Sequence, residues 1–430
     1  MKKIGFWEVL ALVLGAQVGS GILILPTELA PFGLYTIIGC FVACIGAMSL
    51  AFIFSDLCNR FPKTGGPAVY ANEAFGRTAS FFTGWTYWLV SWISTSIVVI
   101  ACAGYLSPFI DHLGPDAYII AELIVLFAVT AINCISVELS GKLELALTVL
   151  KFIPLIVIPL FAIPKFNIVN FSLAQEFHNV CPLSIISSCT LIAFWGFIGV
   201  ECATAPAGAV KNPKKNIPLA IVCGTLCAAI LYLVNCLGIM GAIPNEILAR
   251  SHAPFIDFAA STYLGQTAKV IISIVGFIIC LGTLNAWTLA SGQIALGMAK
   301  EKLLPKCFKI RNKRKSPVFN IIVSSIGIAV ILFLTRQSSI AKQLKDIIDF
   351  SVISFLFIYL ASSVSYMKLF GKENNKIKNT IGIFACCFCT YVIACSSAHA
   401  ILVASMFTMS GLLLYPWIKK QKNAEVYERN

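Results

Sequence analysis

Twelve apolar runs follow one another along this chain, separated by short polar connections. A helix that crosses a bilayer needs about 20 predominantly apolar residues, because lipid offers the backbone no hydrogen-bond partners. Only 12% of the residues are charged, whereas soluble globular proteins have about 25%. The sequence therefore predicts an all-α polytopic membrane protein with twelve transmembrane helices, near residues 6–30, 35–56, 78–107, 117–137, 143–163, 184–206, 217–241, 267–298, 317–335, 347–367, 379–396 and 399–418.

The net charge of +13 is explained by the topology of such a protein. If the N-terminus lies in the cytoplasm, most of the 32 lysine and arginine residues fall in cytoplasmic connections, of which the 299–316 loop is the richest. Membrane proteins concentrate basic residues on this side of the bilayer. We therefore expect both termini in the cytoplasm, a cytoplasmic tail at 419–430, and no nucleic-acid partner.

The cysteines and histidines of the sequence form no pattern typical of an enzyme or a metal site. Most of the 17 cysteines lie inside apolar runs, where a thiol behaves as a small apolar group. The one cluster, at 386–389, has no histidine nearby to complete a metal site. We expect no disulfide framework, no metal, no cofactor and no enzymatic activity.

The first apolar run contains an interruption at residues 15–26. Three glycines and a serine lie there, and these residues disfavour a continuous helix. One interpretation is a discontinuous helix whose second half begins with the free amides of residues 20–22, which would attract a carboxylate. The alternative is that Gly15 and Gly19 form a small-residue surface against which a neighbouring helix packs.

The sixth run carries a second interruption together with an acidic residue. Gly196 and Gly199 lie three residues apart, and Glu201 follows them within the predicted span. An ionisable residue at membrane depth usually faces a water-filled pathway. The alternative is that Glu201 lies at the cytoplasmic mouth and pairs with a lysine of a loop.

Two interrupted helices five spans apart have opposite orientations, which is the pattern of an inverted-repeat transporter with its site between them. The predicted organisation is a single membrane transporter domain, 1–430, with a 5+5 inverted repeat and discontinuous first and sixth helices. The first repeat is expected at 5–163, the inverted second repeat at 184–367, and two extra C-terminal helices at 379–418.

Four motifs in the sequence carry a resemblance to a known family. They are GSGI with LP at 19–26, FPKTGGPAVY with AFG at 61–76, WGFIGVE with VKNPKKNIP at 195–218, and GTLNAWTLASGQ at 282–293. On these motifs the chain resembles the amino acid–polyamine–organocation superfamily, and within it the basic amino acid/polyamine antiporters of the arginine/agmatine type. The resemblance implies a secondary active transporter in the bacterial inner membrane that exchanges a cationic amino acid (arginine) for its decarboxylated amine (agmatine) by alternating access. Its partners would be the small-molecule substrate and lipid, with a homodimer left open.

The resemblance also implies a set of substrate contacts. The amides of residues 20–22 would bind the substrate carboxylate, and carbonyls near Ile198 would bind the α-amino group. Trp195 and Trp287 correspond to aromatic gates over the cationic end, since a delocalised cation is attracted to an indole face; the alternative for each is ordinary packing or an interfacial belt. The candidate substrate contacts are Gln17, Ser20, Gly21, Ile22, Val90, Ser91, Thr95, Trp195, Ile198 and Trp287, and the candidates for gating or proton transfer are Tyr87, Glu201 and Lys151.

Two departures from the family pattern bear on the substrate and the coupling. The antiporter resembled has an asparagine where this chain has Thr95, and small residues at Val90 and Ser91, so an amide that would hold a guanidinium is missing. Lys151 lies in the fifth span, as in proton-coupled members of the superfamily, where the antiporter has an apolar residue. The alternative function within transport is therefore proton-coupled amino-acid symport through Lys151, unless this lysine merely extends to the cytoplasmic surface. A non-transporting membrane amino-acid sensor is the alternative from another class.

Overall fold

The computed structural model describes residues 3–114, 116–251, 254–260, 265–335, 340–371, 373 and 375–416. Regular structure in these ranges is helical, apart from one backbone bridge between Ile4 and Val210. The helices of the first half are α1 (Phe6–Gln17), α2 (Ser20–Leu29), α3 (Tyr35–Arg60), α4 (Pro67–Phe75), α5 (Arg77–Ile93), α6 (Thr95–Tyr105), α7 (Ser107–Ile110), α8 (Asp116–Ile135) and α9 (Val137–Ala162). Those of the second half are α10 (Pro182–Trp195), α11 (Pro213–Ala242), α12 (Asn245–Leu248), α13 (Pro254–Ala260), α14 (Gly265–Lys300), α15 (Val318–Thr335), α16 (Ile340–Phe370), α17 (Lys376–Ala394) and α18 (Ala398–Met409).

Within the described ranges, ten helical segments are long and apolar enough to cross a membrane. The sixth and twelfth predicted spans are shorter helical segments, Pro182–Trp195 and Ala398–Leu413. The prediction of an all-α polytopic membrane protein is confirmed. The inverted relation between 5–163 and 184–367 stays a prediction, and the expected tail at 419–430 lies outside the described residues.

The interruption of the first span is confirmed. Val18 and Gly19 leave the helical backbone conformation and separate α1 from α2. Gly15 packs against Glu144 and Gly19 packs against Thr283, so closely that a Cβ at either glycine would overlap the neighbouring side chain. Both interpretations of the glycines therefore apply. The helix is interrupted at Val18 and Gly19, and Gly15 and Gly19 allow side chains of neighbouring helices to pack closely against this span.

The interruption of the sixth span is confirmed as well. α10 ends at Trp195, residues 196–201 form turns, and Cys202–Thr204 form a single 3-10 turn. Gly199 has φ of 106°, a conformation that residues with a Cβ rarely adopt. A Cβ at Gly199 would also overlap Ala16 of α1. The two interruptions therefore lie against each other.

The first interrupted span lies in the middle of the bundle. In the most apolar part of Phe6–Phe32, 89% of the residues are buried inside the protein, against 22% for Asp116–Ile135. α1 packs against α9, α11 and α14. Its start is fixed to the chain beyond α10, because the amide of Ile4 donates to the carbonyl of Ala209 at 3.1 Å. α8, in contrast, presents most of its surface to the surroundings.

α9 begins earlier than the sequence predicted, at Val137 rather than near residue 143. Glu144 therefore lies two turns inside the helix instead of at its end. Glu144 and Lys151 are both fully buried, whereas Val149 and Ile153 on the opposite face are 58% and 59% exposed. The helix thus places an apolar face toward lipid and its two buried charged side chains, Glu144 and Lys151, toward the bundle.

Candidate functional site

A cavity of about 60 Å³ lies between the two interruptions. Among the described residues that line it, none has a charged side chain. A bound ion would therefore be met by backbone groups, hydroxyls and aromatic faces rather than by a formal counter-charge. The lining residues are Ala16, Gln17, Gly19, Ser20, Gly21, Ser94, Thr95, Ile97, Val98, Trp195, Ile198, Tyr232, Thr283, Trp287, Ser351 and Phe355.

One wall of the cavity is the start of α2. Ser20 and Gly21 are the first two residues of that helix, so their amides have no carbonyl in a preceding turn of the helix to bond to. The positive end of the helix dipole adds to these two donors, and such an end binds carboxylates. Ile22 does not line the cavity, and its amide donates to the carbonyl of Gly19 at 3.2 Å. The expected contact of the Ile22 amide with a substrate carboxylate stays a prediction.

Aromatic side chains form another part of the lining. Trp287 is 5% exposed, and its ring packs against Phe355 with the centroids 5.2 Å apart. Trp195 is partly buried at the end of α10, within van der Waals reach of Gly21. Both tryptophans line the cavity instead of a lipid interface, so they can offer their faces to a cation.

The third span contributes hydroxyl groups at a bend between α5 and α6. The Ser94 hydroxyl donates to the carbonyl of Val90 at 2.7 Å, and the Thr95 hydroxyl donates to that of Ser91 at 2.6 Å. Such bonds from serine and threonine bend a helix. Ser94 and Thr95 line the cavity, whereas Val90 and Ser91 do not. Val90 and Ser91 lie one turn earlier, and the Ser91 hydroxyl donates to the carbonyl of Trp88; their expected contact with a substrate stays a prediction.

Glu201 lies outside the cavity lining and is fully buried. The Tyr359 hydroxyl donates to Glu201 Oε2 at 2.5 Å and accepts from the amide of Gly199 at 3.0 Å. This carboxylate is therefore bonded inside the bundle, and the alternative of a pair with a loop lysine is wrong. Tyr87 is a near neighbour of this carboxylate, and the Tyr87 hydroxyl and Glu201 Oε1 are both buried and bonded to no other group.

Phe355 links this acidic group to the cavity. Its ring packs against Trp287 on one side and against Tyr359 and Tyr87 on the other, with centroids 5.2, 6.0 and 6.3 Å apart. The cavity lining is therefore connected to Glu201 through Phe355 and then Tyr359, whose hydroxyl binds the carboxylate.

Lys151 is fully buried, and its ammonium lies at the C-terminal end of α1. Lys151 Nζ donates to the carbonyl of Val18 at 2.9 Å and to that of Leu14 at 3.3 Å. The interpretation that this side chain extends to the cytoplasmic surface is therefore wrong. A cation at this position is favoured, because the last carbonyls of a helix carry partial negative charge.

Two further side chains bind the last turn of α1, and sequence reasoning missed both. The Thr283 hydroxyl donates to the carbonyl of Gly15, and the Tyr232 hydroxyl donates to that of Gln17, each at 2.8 Å. Thr283 lies inside the 282–293 motif, which was the signal that could have found it. Tyr232 lies in an apolar run without any motif.

Gln17 lines the cavity, and one end of its side-chain amide is already hydrogen-bonded. Its Nε2 donates to the Thr225 hydroxyl at 3.1 Å, whereas Oε1 is buried without a partner. A buried acceptor without a donor is unfavourable. Gln17 Oε1 is therefore an unsatisfied acceptor on a residue of the cavity lining.

Comparison with known proteins gives a consistent result. The family model described as amino acid permease matches residues 4–415. The cadaverine/lysine antiporter of Escherichia coli is 30% identical over 429 residues, which cover 97% of this chain and 95% of that protein. The putrescine transporter PotE of Haemophilus influenzae is 29% identical over 424 residues, 97% of each chain, and PotE of E. coli is 28% identical over 96% of this chain and 95% of its own.

Proposed function

This chain belongs to the amino acid permease family and is a multi-pass membrane transporter rather than an enzyme; from that premise we propose that it exchanges a basic amino acid for the amine formed by its decarboxylation. The proposed location is the bacterial inner membrane, with both termini in the cytoplasm. The relatives named above carry amines and amino acids of this class according to their names.

One observation carries the proposal. The start of α2 and the aromatic rings of Trp195, Trp287 and Phe355 line the same cavity, and no charged side chain accompanies them among the described lining residues. A basic amino acid has a carboxylate at one end and a cation at the other. The carboxylate suits the free amides of a helix start, and the cation suits aromatic faces.

The proposed pair of substrates is lysine and cadaverine. A guanidinium is planar and is held best by several acceptors in a fixed geometry, whereas an ammonium is a compact charge with three rotatable donors. Where the arginine/agmatine antiporters have an asparagine in the third span, this chain has Thr95. The Thr95 hydroxyl already donates to the carbonyl of Ser91. An ammonium would find the Gln17 acceptor and the aromatic rings sufficient.

Arginine and agmatine remain the second candidate pair. The observation in their favour is that two tryptophans line one cavity, because a guanidinium stacks on aromatic faces in addition to its cation–π attraction. Competition by lysine, cadaverine, ornithine, putrescine, arginine and agmatine against labelled lysine separates the pairs, since the true substrates compete at the lowest concentrations.

Exchange follows from the polarity of the cavity. An empty closed site would leave the amides of Ser20 and Gly21 and the Gln17 acceptor without partners, and unpaired buried polar groups are costly. A carrier of this kind therefore reorients readily only when it is loaded. Glu201 and its tyrosine partners are proposed to act as the gate beneath the cavity.

Transport by the purified full chain in lipid vesicles tests the proposal. We expect uptake of labelled lysine into vesicles loaded with cadaverine, and little uptake into vesicles without an internal substrate. Uptake into empty vesicles driven by a pH gradient would support proton-coupled symport instead. Saturable lysine binding without any flux would support the sensor.

A further inference from the structure

Glu144 of α9 is a fully buried carboxylate in a membrane-spanning helix to which no role has yet been given. Its Oε2 accepts a hydrogen bond of 2.7 Å from Asn285 Nδ2. Its Oε1 is buried and forms no regular hydrogen bond, and the Thr148 hydroxyl of the next turn of α9 lies near the carboxylate. Ionisable groups at this depth are rare and are usually paired or functional, so the free oxygen requires an explanation.

Glycines of two neighbouring helices lie beside this oxygen, and the one on α1 makes room for it. A Cβ at Gly15 of α1 would overlap Glu144 Oε1. On α14, a Cβ at Gly282 would lie 3.4 Å from Glu144 Oε1 and 3.5 Å from Lys151 Nζ. The carboxylate and the ammonium therefore flank the same glycine, two turns apart on one face of α9, with no side chain of α14 between them at that point.

The ammonium of Lys151 is bound elsewhere in this conformation. It donates to the carbonyls of Leu14 and Val18 at the end of α1, and Val18 belongs to the interruption beside the cavity. If α1 moves away during transport, these two acceptors leave with it. The ammonium would then be buried without a partner, which is strongly unfavourable, unless another acceptor is within its reach.

We propose that Glu144 is the counter-charge of Lys151 and accepts its ammonium when α1 moves away from α9. The inference rests on the proposed function, because alternating access supplies the movement of α1. Glu144 is thus a positioning residue: it keeps a partner available for Lys151 in both conformations without touching the substrate.

Among the described residues that contact Glu144 and Lys151, no second carboxylate is placed to accept the ammonium of Lys151. The other titratable groups that face it are the thiol of Cys280 on α14 and that of Cys202 beyond α10. Glu8 of α1 lies beside Gly141, one turn earlier on α9, and its Oε2 already accepts from the amide of Gly5 at 2.9 Å. On the side away from α1, Asn285 is held in turn, since its Oδ1 accepts from Asn133 Nδ2 at 2.9 Å.

A double-mutant cycle tests the pairing directly. Glu144→Gln keeps the size of the side chain and an acceptor for Asn285, and leaves Lys151 charged without a counter-charge. Lys151→Met leaves Glu144 charged alone. We expect each single variant to slow lysine/cadaverine exchange at least about tenfold with the KM for lysine within about twofold of wild type, and the double variant to recover a large part of the rate, because coupled partners are non-additive. Glu122→Gln, on the neighbouring α8, is the matched control and should exchange as wild type does.

The same cycle is measured by thermal unfolding of the full-length protein in detergent, where no transport is involved. A double variant that is more stable than the sum of the two single effects supports the pair. Strictly additive losses in Tm, or a Glu144→Gln variant with the wild-type exchange rate, overturn it. If the wild type exchanges none of the six compounds named above, the proposed function fails, and the unfolding cycle still decides the pairing.

Discussion

At the scale of single residues, the absence of one methyl group decides what Glu144 can contact. Gly15 lets the carboxylate lie against α1, and Gly282 of α14 lies beside both this carboxylate and the ammonium of Lys151. The sequence placed Gly15 in the first interruption and Gly282 in the 282–293 motif, but it did not show which side chains they contact. The partner comes from another helix, 129 positions away in the case of Gly15 and Glu144, and local patterns carry no information about such a contact.

Gly15→Ala is expected to destabilise the protein by about 1–3 kcal/mol, because an added methyl group in a packed interior forces its neighbours to shift. Here the neighbour is a buried carboxylate, so exchange should slow as well. Gly104→Ala is the control, since a Cβ at Gly104 of α6 would meet nothing within 4 Å. Thermal unfolding in detergent measures the difference, and equal Tm values for the two variants would contradict the proposed packing.

Trp287→Leu is expected to weaken lysine binding roughly 2- to 30-fold, which corresponds to the loss of a cation–π attraction of about 0.5–2 kcal/mol. Binding of a neutral amino acid should weaken less, because it has no cationic end. Trp7→Leu is the control, since Trp7 is 65% exposed. Isothermal titration gives both affinities, and equal losses for lysine and leucine would remove the proposed role of Trp287.

At the scale of elements, the sequence predicted the two interruptions because glycine and serine act locally on the backbone. It could not place the start of α9, because polar residues 136–144 resemble a loop until they are packed. It also could not choose between a surface and a buried position for Lys151. That choice depends on α1, whose C-terminal carbonyls hold the ammonium.

Tyr359→Phe is expected to loosen the unwound segment after α10. The change leaves the Gly199 amide without its acceptor and Glu201 Oε2 without its donor, and each loss of a partner in the interior costs about 1–3 kcal/mol. The variant should unfold at a lower temperature and exchange lysine more slowly. Tyr105→Phe, on α6, serves as the control for removal of a tyrosine hydroxyl; an equal effect of both would assign the loss to general packing.

At the scale of the whole molecule, composition and apolar runs were sufficient to predict a polytopic helical membrane protein. The aromatic half of the cavity was only partly predictable. Trp195 and Trp287 lie in motifs, whereas Phe355 and Ser351 come from α16, whose sequence has the composition of any apolar span. The cavity combines residues from six spans, and only the packing of those spans reveals which side chains meet.

The proposed orientation can be measured through two native thiols. Cys181 is exposed before α10, on the side proposed to face outward, and Cys307 lies partly exposed in the basic 299–316 connection. With a membrane-impermeant maleimide on intact cells, Cys181→Ser should lower the labelling of the protein, and Cys307→Ser should change it only after permeabilisation. The opposite pattern would place both termini outside.

The fastening of α1 has a kinetic consequence. Side chains of three separate helices hold the carbonyls of its last turn: Lys151 of α9, Thr283 of α14 and Tyr232 of α11. α1 cannot tilt away gradually, since leaving one of them strains the bonds to the other two. The barrier to reorientation is then expected to be largely enthalpic. Cooling should therefore slow the rate of exchange far more than it changes the affinity for the substrate.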